Sequence, residues 1–300
     1  MEELREKILR LKEEKRAYIL AHFYQRQEVQ EIADEVGDSF ALAQKAQQAD
    51  CDAILLCGVR FMAESAKILN PSKKVYLPNP GAGCPMADMV TPEDVRRLRE
   101  QYPEAAVVCY VNSSAAVKAV SDVCCTSSSA ERIVRALPQK QIIFVPDQNL
   151  GAYCAKQAPD KEFILFTGYC PIHHAVTEKD AEAARAAHPN AHFAVHPECR
   201  PEVLAYADYI GSTAGILKDV RASENEEFVI GTECGVQEIL QSECPEKKIF
   251  TLMEDFICPD MKKTTLKDVL RALEGGEPEI ELPEAEMLGA RQALERMISL

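Results

Sequence analysis

Three copies of one pattern, each long enough to be a small domain, constrain this chain more than any other feature. Cys84-Pro85 is followed by Thr91 after seven residues and by Asp94 after ten. Cys170-Pro171 is followed by Thr177 and Asp180, and Cys258-Pro259 by Thr265 and Asp268, at the same offsets. The three cysteines stand 86 and 88 residues apart. Four matching positions in three copies exceed what chance supplies, and so long a period describes repeated domains, not solenoid units.

The offsets carry structural meaning. Thr-x-x-Asp is a capping-box variant, and each copy runs on into a helical stretch. Val95, Leu98 and Tyr102 recur at helical spacing, as do Leu266, Val269, Leu270 and Leu273. A short apolar run precedes each Cys-Pro: Lys74 to Leu77, Phe163 to Phe166 and Lys248 to Thr251. Two further sets of strand-like runs repeat in register. Ile19 to Tyr24, Val107 to Asn112 and His192 to Glu198 form one set; Ala53 to Gly58, Gln141 to Pro146 and Phe228 to Gly231 form the other. Between them Gly37-Asp38-Ser39, Cys125-Thr126-Ser127 and Gly211-Ser212-Thr213 each read as the opening of a helix. Alternating strands and helices predict parallel sheets covered by helices. The expected fold is α/β: three homologous αβα domains with three-stranded parallel sheets, over residues 1–90, 91–176 and 177–300. The third carries a closing segment from about residue 276 that ends in a short amphipathic helix, Leu288 to Ile298. With no low-complexity linker, the units are expected to pack about a pseudo-threefold axis. Their strand-end loops, where open α/β sheets bind ligands, then face an active site at the central interface.

Composition narrows the function. Lys+Arg is 34 and Asp+Glu is 48, a net charge of −14. Without a basic block, so acidic a chain is a poor partner for nucleic acid or an anionic membrane. No apolar run reaches the roughly 18 residues of a membrane span, and the charged stretch from Glu2 to Lys7 lacks a signal peptide's apolar core. A cytoplasmic protein is expected. Twelve cysteines among 300 residues is below disulfide-scaffold density, and no two are spaced C-x-x-C. A metal site must therefore be assembled from distant parts of the chain.

Equivalent loops would bring Cys84, Cys170 and Cys258 together. Three thiolates suit zinc with an open position, or an iron–sulfur cluster lacking a fourth protein ligand. The alternative is a plain turn that stops each strand. The other nine cysteines lack counterparts in all three copies and read as non-ligands; Cys57, Cys109, Cys124 and Cys125, in or beside apolar runs, read as small buried thiols. His22, Tyr24, Tyr110, Asn112, His173, His196 and Glu198 would line the same centre and can donate, accept or move protons. Ser39, Ser127, Ser212 and Thr213, placed at helix starts, would hold anions. His174, His188 and His192 have no such support and read as structural.

The stretches AHFYQRQEVQEIADEVGDS, GVRFMAESAKILNP, CYVNSSA, CCTSSSA, PDQNLG, GYCPIHH, HPEC, GSTAGI, GTECG and CPDMKKTTL resemble the quinolinate synthase A family, iron–sulfur enzymes of NAD biosynthesis. The likeness covers roughly residues 3–275. It implies a transferase that condenses iminoaspartate with dihydroxyacetone phosphate to quinolinate, phosphate and two waters. It implies Cys84, Cys170 and Cys258 as ligands of a 4Fe–4S cluster whose fourth iron is open and acts as a Lewis acid. His22, Tyr24, Ser39, Tyr110, Asn112, Ser127, His173, His196, Glu198, Ser212 and Thr213 match the family's active-site positions. Of these, Tyr24, His22, Glu198 and His196 are expected to be catalytic. His22, Ser39, Tyr110, Asn112, Ser127, His173, His196, Glu198, Ser212 and Thr213 are expected to bind substrate. An aspartate oxidase or dehydrogenase would supply iminoaspartate.

The chain departs from the family pattern at Phe23, where Asn is common, and at Arg60, where Asp or His is. Asp260 and Met261 after Cys258-Pro259 leave no C-x-x-C there, so a redox switch proposed for some relatives cannot form. Two other expectations fit the three thiols: an aconitase-like hydro-lyase, and a non-enzymatic iron–sulfur sensor.

Overall fold

Short apolar runs separated by capped helices build three parallel sheets in the computed structural model of the chain, which describes residues 2–275 and 278–300. The first repeat comprises α1 (Glu2–Glu14), β1 (Ala17–His22), α2 (Gln27–Gln30), β2 (Glu35–Gly37), α3 (Ser39–Gln48), β3 (Ala53–Cys57), α4 (Arg60–Leu69) and β4 (Lys74–Tyr76). The second comprises α5 (Pro92–Gln101), β5 (Ala106–Tyr110), α6 (Ala115–Ala119), β6 (Val123–Cys125), α7 (Ala130–Ala136), β7 (Gln141–Val145), α8 (Gln148–Gln157) and β8 (Glu162–Leu165), then α9 (Pro171–Ala175). The third comprises α10 (Glu178–Ala187), β9 (His192–Val195), α11 (Pro201–Leu204), β10 (Tyr209–Ile210), α12 (Thr213–Ala222), β11 (Glu227–Gly231), α13 (Gly235–Glu243) and β12 (Lys248–Thr251). Helices α14 (Leu266–Gly275) and α15 (Glu284–Ser299) follow.

The sheets correct the sequence reading in strand number. Each has four strands, ordered β2-β1-β3-β4, β6-β5-β7-β8 and β10-β9-β11-β12. The added strand is a two- or three-residue edge, β2, β6 or β10. A run so short cannot display an apolar pattern, and all three lie where the sequence reads only as a helix start. The central strands are long enough to be read: β3 and β5 are buried along their whole length, as parallel strands covered on both faces must be.

The repeat extends to hydrogen bonds. Asp34, Asp122 and Asp208, just before the edge strands, accept the backbone N–H of Ile19, Val107 and Phe193 at 2.8, 2.7 and 2.9 Å. Lys73, Lys161 and Lys247 each donate to two backbone carbonyls near the end of α3, α7 or α12, quenching its exposed acceptors. The capping boxes form as read. Thr91 and Asp94 exchange hydrogen bonds at the start of α5, Thr177 and Asp180 at α10, and Thr265 and Asp268 before α14.

The last two helices tie the ends of the chain to earlier repeats. Leu266, Val269, Ala272 and Leu273 of α14 are buried against Ile8, Ile19 and Leu55 of the first repeat. Helix α15 lies on α6 and β6, burying Ala290, Ala293, Leu294 and Met297. A Cβ at Gly289 would stand 2.6 Å from the carbonyl oxygen of Ala119, so this close crossing requires glycine. The expected closing helix is present in α15; the segment's start at residues 276 and 277 lies outside the described residues.

Candidate active site

The carboxyl ends of all three sheets line one cavity of about 240 Å³. The geometry starts from the residues that end the first strand of each sheet. His22 ends β1, Tyr110 ends β5, and His196 follows β9. Two residues on come Tyr24, Asn112 and Glu198, and all six line the cavity. The backbone supports both histidines in the same way. The Tyr24 N–H donates to His22 Nδ1 at 3.1 Å, and the Glu198 N–H donates to His196 Nδ1 at 3.3 Å. A ring nitrogen that accepts carries no proton, so the neutral ring has its proton on Nε2. Burial, assisted by the Lys262 ammonium, lowers His22 to about 3, and burial lowers His196 to about 4. Both are neutral imidazoles at neutral pH.

Glu198 is the buried charge among them. Burial alone would raise its carboxyl. Hydrogen bonds from His173 and Tyr110 oppose burial, and where the His173 and His196 rings carry protons their charge adds to this, bringing it down to about 2. Its Oε2 lies 2.8 Å from His173 Nδ1, and Asn112 Nδ2 approaches Oε1 at 3.5 Å. His173 Nε2 lies 3.0 Å from the Thr232 hydroxyl. The Thr232 hydroxyl is 2.8 Å from that of Tyr24, which is 2.7 Å from that of Thr213. A continuous hydrogen-bonded chain thus runs Glu198–His173–Thr232–Tyr24–Thr213, drawing on all three repeats. Burial pushes the Tyr24 and Tyr110 phenols well above their ordinary value, so both are neutral donors.

The hydroxyls at the helix starts line the same cavity, with one adjustment. Ser39 and Thr213 are the first residues of α3 and α12, and Ser212 caps α12 by accepting the Gly215 N–H at 3.1 Å. Ser127 does not open a helix: α7 begins at Ala130, because the Ser129 hydroxyl accepts the Thr126 N–H at 3.0 Å in a local turn. Ser127 still lines the cavity.

Cys84, Cys170 and Cys258 line the cavity, one from each repeat's loop, and all are free thiols. Burial pushes Cys84 up to about 12, Cys258 up to about 11 and Cys170 well above its ordinary value. Backbone N–H groups oppose that rise, those of Met86 and Ala87 for Cys84, of His173 for Cys170, and of Asp260 and Met261 for Cys258. His173 Nδ1 lies 3.2 Å from the Cys170 sulfur. Three soft thiol donors, one from each repeat's loop, fit a thiolate-held iron–sulfur group. The donor atoms of Cys170, His173 and Glu198 also lie within 4.8 Å of one another. Every candidate residue named from the sequence therefore meets in one cavity.

Sequence reasoning missed the apolar wall of Phe40, Val59, Phe61, Met86, Ile172 and Met261, which has no chemical signature. It also missed Thr232, the link between Tyr24 and His173, and the buried carboxyls of Asp147 and Glu233. Burial raises both carboxyls, Asp147 further through the Glu198 charge; the Lys262 ammonium, 3.2 Å from Glu233, opposes the rise there. The repeat register held a signal for these two, because each stands two residues past the end of a sheet's third strand. The three other histidines are engaged away from the cavity. His174 stacks on Tyr169, His188 on Phe250, and His192 pairs with Asp219 at 2.8 Å.

Three parallel α/β sheets whose strand ends share one thiol-lined cavity, with an apolar wall and a few convergent polar groups, define the architecture of a small-molecule enzyme. The family model for the quinolinate synthetase A protein matches residues 6–299, and the chain belongs to that family. It is 52% identical over 300 residues to the quinolinate synthase of Caldicellulosiruptor bescii, covering 100% of this chain and 99% of that one. The quinolinate synthase of Thermodesulfovibrio yellowstonii is 50% identical over 295 residues, 98% of this chain and 97% of its own. Quinolinate synthase 2 of Methanosarcina acetivorans is 50% identical over 295 residues, 98% and 95% of the two chains. Among the described residues no helix is long and apolar enough to cross a membrane.

Proposed function

We propose that this chain is a quinolinate synthase that condenses iminoaspartate with dihydroxyacetone phosphate, releasing phosphate and two waters. The convergence of three free thiols and a buried acid–base chain on one cavity carries this reading. The three repeats, over residues 1–90, 91–176 and 177–300, sit about a pseudo-threefold axis with the active site at their interface. Cys84, Cys170 and Cys258 would hold a 4Fe–4S cluster, which when bound would supply Lewis acidity suited to loss of hydroxyl groups as water. The enzyme is cytoplasmic and takes iminoaspartate from an aspartate oxidase or dehydrogenase.

The chain's own residues do the rest. Both substrates are anionic. The hydroxyls of Ser39, Ser127, Ser212 and Thr213, with Tyr110 and Asn112, hold carboxylates and phosphate by hydrogen bonds. The backbone N–H groups opening α3 and α12 add to them. Neutral His22 and His196, presenting Nε2–H, polarise carbonyl and imine oxygen and nitrogen without placing a fixed charge in the cavity. His173 holds Glu198 and joins it to Thr232. Glu198, with the Thr232 and Tyr24 hydroxyls, relays protons across the cavity.

The test is made on protein purified without oxygen. Four irons with matching sulfide per chain, and quinolinate with phosphate formed from the two substrates, are expected. Replacing Cys84, Cys170 or Cys258 with Ser then removes both iron and activity. Four irons without quinolinate overturn the reaction assigned here; zinc or no metal overturns the cluster.

A further inference from the structure

We propose that Asp147 and Glu233 are positioning residues that aim Cys170 and Cys258, whereas the Cys84 loop is held by the third repeat. This deepens the reading above and rests on it. Val59, Asp147 and Glu233 occupy one place in the three repeats, two residues past the ends of β3, β7 and β11. Asp147 and Glu233 are fully buried. Burying a carboxyl is costly unless donors surround it, and here the donors are specific. Asp147 Oδ1 accepts the N–H groups of Asn149 and Leu150 at 2.8 Å, opening α8. Its Oδ2 accepts the N–H of Cys170 at 3.2 Å. Glu233 repeats this division of labour. Its Oε2 accepts the Gly235 N–H at 2.7 Å, opening α13, while its Oε1 accepts the Cys258 N–H at 3.3 Å.

Each carboxyl thus joins a helix start to the backbone of a thiol residue 23 or 25 positions later. Fixing that N–H fixes the residue's backbone angles and hence the direction of its Cβ–Sγ bond. The first repeat lacks the device. Val59 has no acceptor, and the Gly83 N–H beside Cys84 donates instead to Asp260 Oδ1 at 3.2 Å, two residues past Cys258. In all three repeats a backbone N–H after the third strand also meets a carbonyl of the thiol loop, Arg60 to Ala82 at 2.9 Å in the first, but only Cys170 and Cys258 have a carboxyl of their own sheet behind them; the carboxyl behind Cys84 comes from a neighbour's loop.

The test follows iron release from the anaerobic holoprotein to a coloured ferrous chelator in Asp147→Asn and, separately, Glu233→Gln. In either, an amide NH₂ replaces one oxygen and confronts a backbone N–H. Iron release is expected to be about tenfold faster, the usual scale for loss of a group that orients a ligand. The Fe–S(Cys) stretching bands in the resonance Raman spectrum are expected to shift. Asp122→Asn is the control, because Asp122 accepts the Val107 N–H at 2.7 Å at the opposite end of the middle sheet. It is expected to release iron at the unsubstituted rate. Wild-type rates and bands in both variants overturn the proposal, as does equal acceleration by Asp122→Asn. If one variant does not fold, the other decides alone. Absence of iron in the unsubstituted protein would instead overturn the cluster reading.

Discussion

At the scale of single residues, the site keeps acids and bases apart by burial. His22 and His196 stay neutral beside an ionised Glu198. This ties stability to pH. Unfolded, each histidine binds a proton near pH 6.5; folded, His22 does so only near pH 3 and His196 near pH 4. Between those values the unfolded chain holds more protons, so stability is lost as pH falls from 6.5, by up to about 1.4 kcal/mol per unit for each ring. Glu198, ordinarily near 4.5 and here about 2, adds a further loss below 4.5. The melting temperature of the metal-free chain is expected to drop from pH 7 to pH 5, and His196→Asn to remove roughly half of that slope. A flat profile would show that water reaches both rings. Tyr24→Phe and Thr232→Val each delete one hydroxyl while keeping shape. Turnover is expected to fall at least about 100-fold with iron content unchanged. Unchanged turnover in either removes that hydroxyl from the mechanism. Tyr24 was legible because its stretch carries the family pattern and its repeat position. Thr232 was not, since its partners Tyr24 and His173 are distant in sequence.

At the scale of elements, legibility follows the reach of the interaction. The capping boxes were readable because Thr91, Thr177 and Thr265 bond an Asp three residues away. The edge strands were not, because two or three residues have no period. Ser127 was misread as a helix start because the hydroxyl that organises the turn belongs to Ser129. Thr265→Ala is expected to cost about 1 kcal/mol in denaturant unfolding, the usual worth of such a cap. No loss would mean that α14 is set by its packing alone. Gly235, at the start of α13, offers a sharper test. A Cβ there would stand 2.7 Å from the Phe23 carbonyl oxygen and 3.2 Å from Tyr24 Cα. Gly235→Ala is therefore expected to displace Tyr24 and to lower activity by far more than its effect on melting accounts for. Equal, small losses would show that the two loops part freely.

At the scale of the whole molecule, the repeat made the three-sheet plan readable, whereas the path of the chain's end was not. That α14 returns to α1 and α15 to α6 follows from packing between elements far apart in the chain, to which local patterns are blind. Ending the chain at Pro283 removes α15 and uncovers the face of α6 and β6 that it buries. A lower melting temperature and increased binding of an apolar dye are expected; wild-type values would make α15 an accessory. The distribution of the three thiols along the chain has a consequence for its birth. A ribosome delivers Cys84, then Cys170, then Cys258, and the last 88 residues of that span take on the order of ten seconds to emerge. During that interval two soft ligands wait in an unfinished chamber, attractive to zinc or copper. With the cluster proposed above, choice of metal becomes a race, decided by how soon the third repeat arrives to complete the chamber.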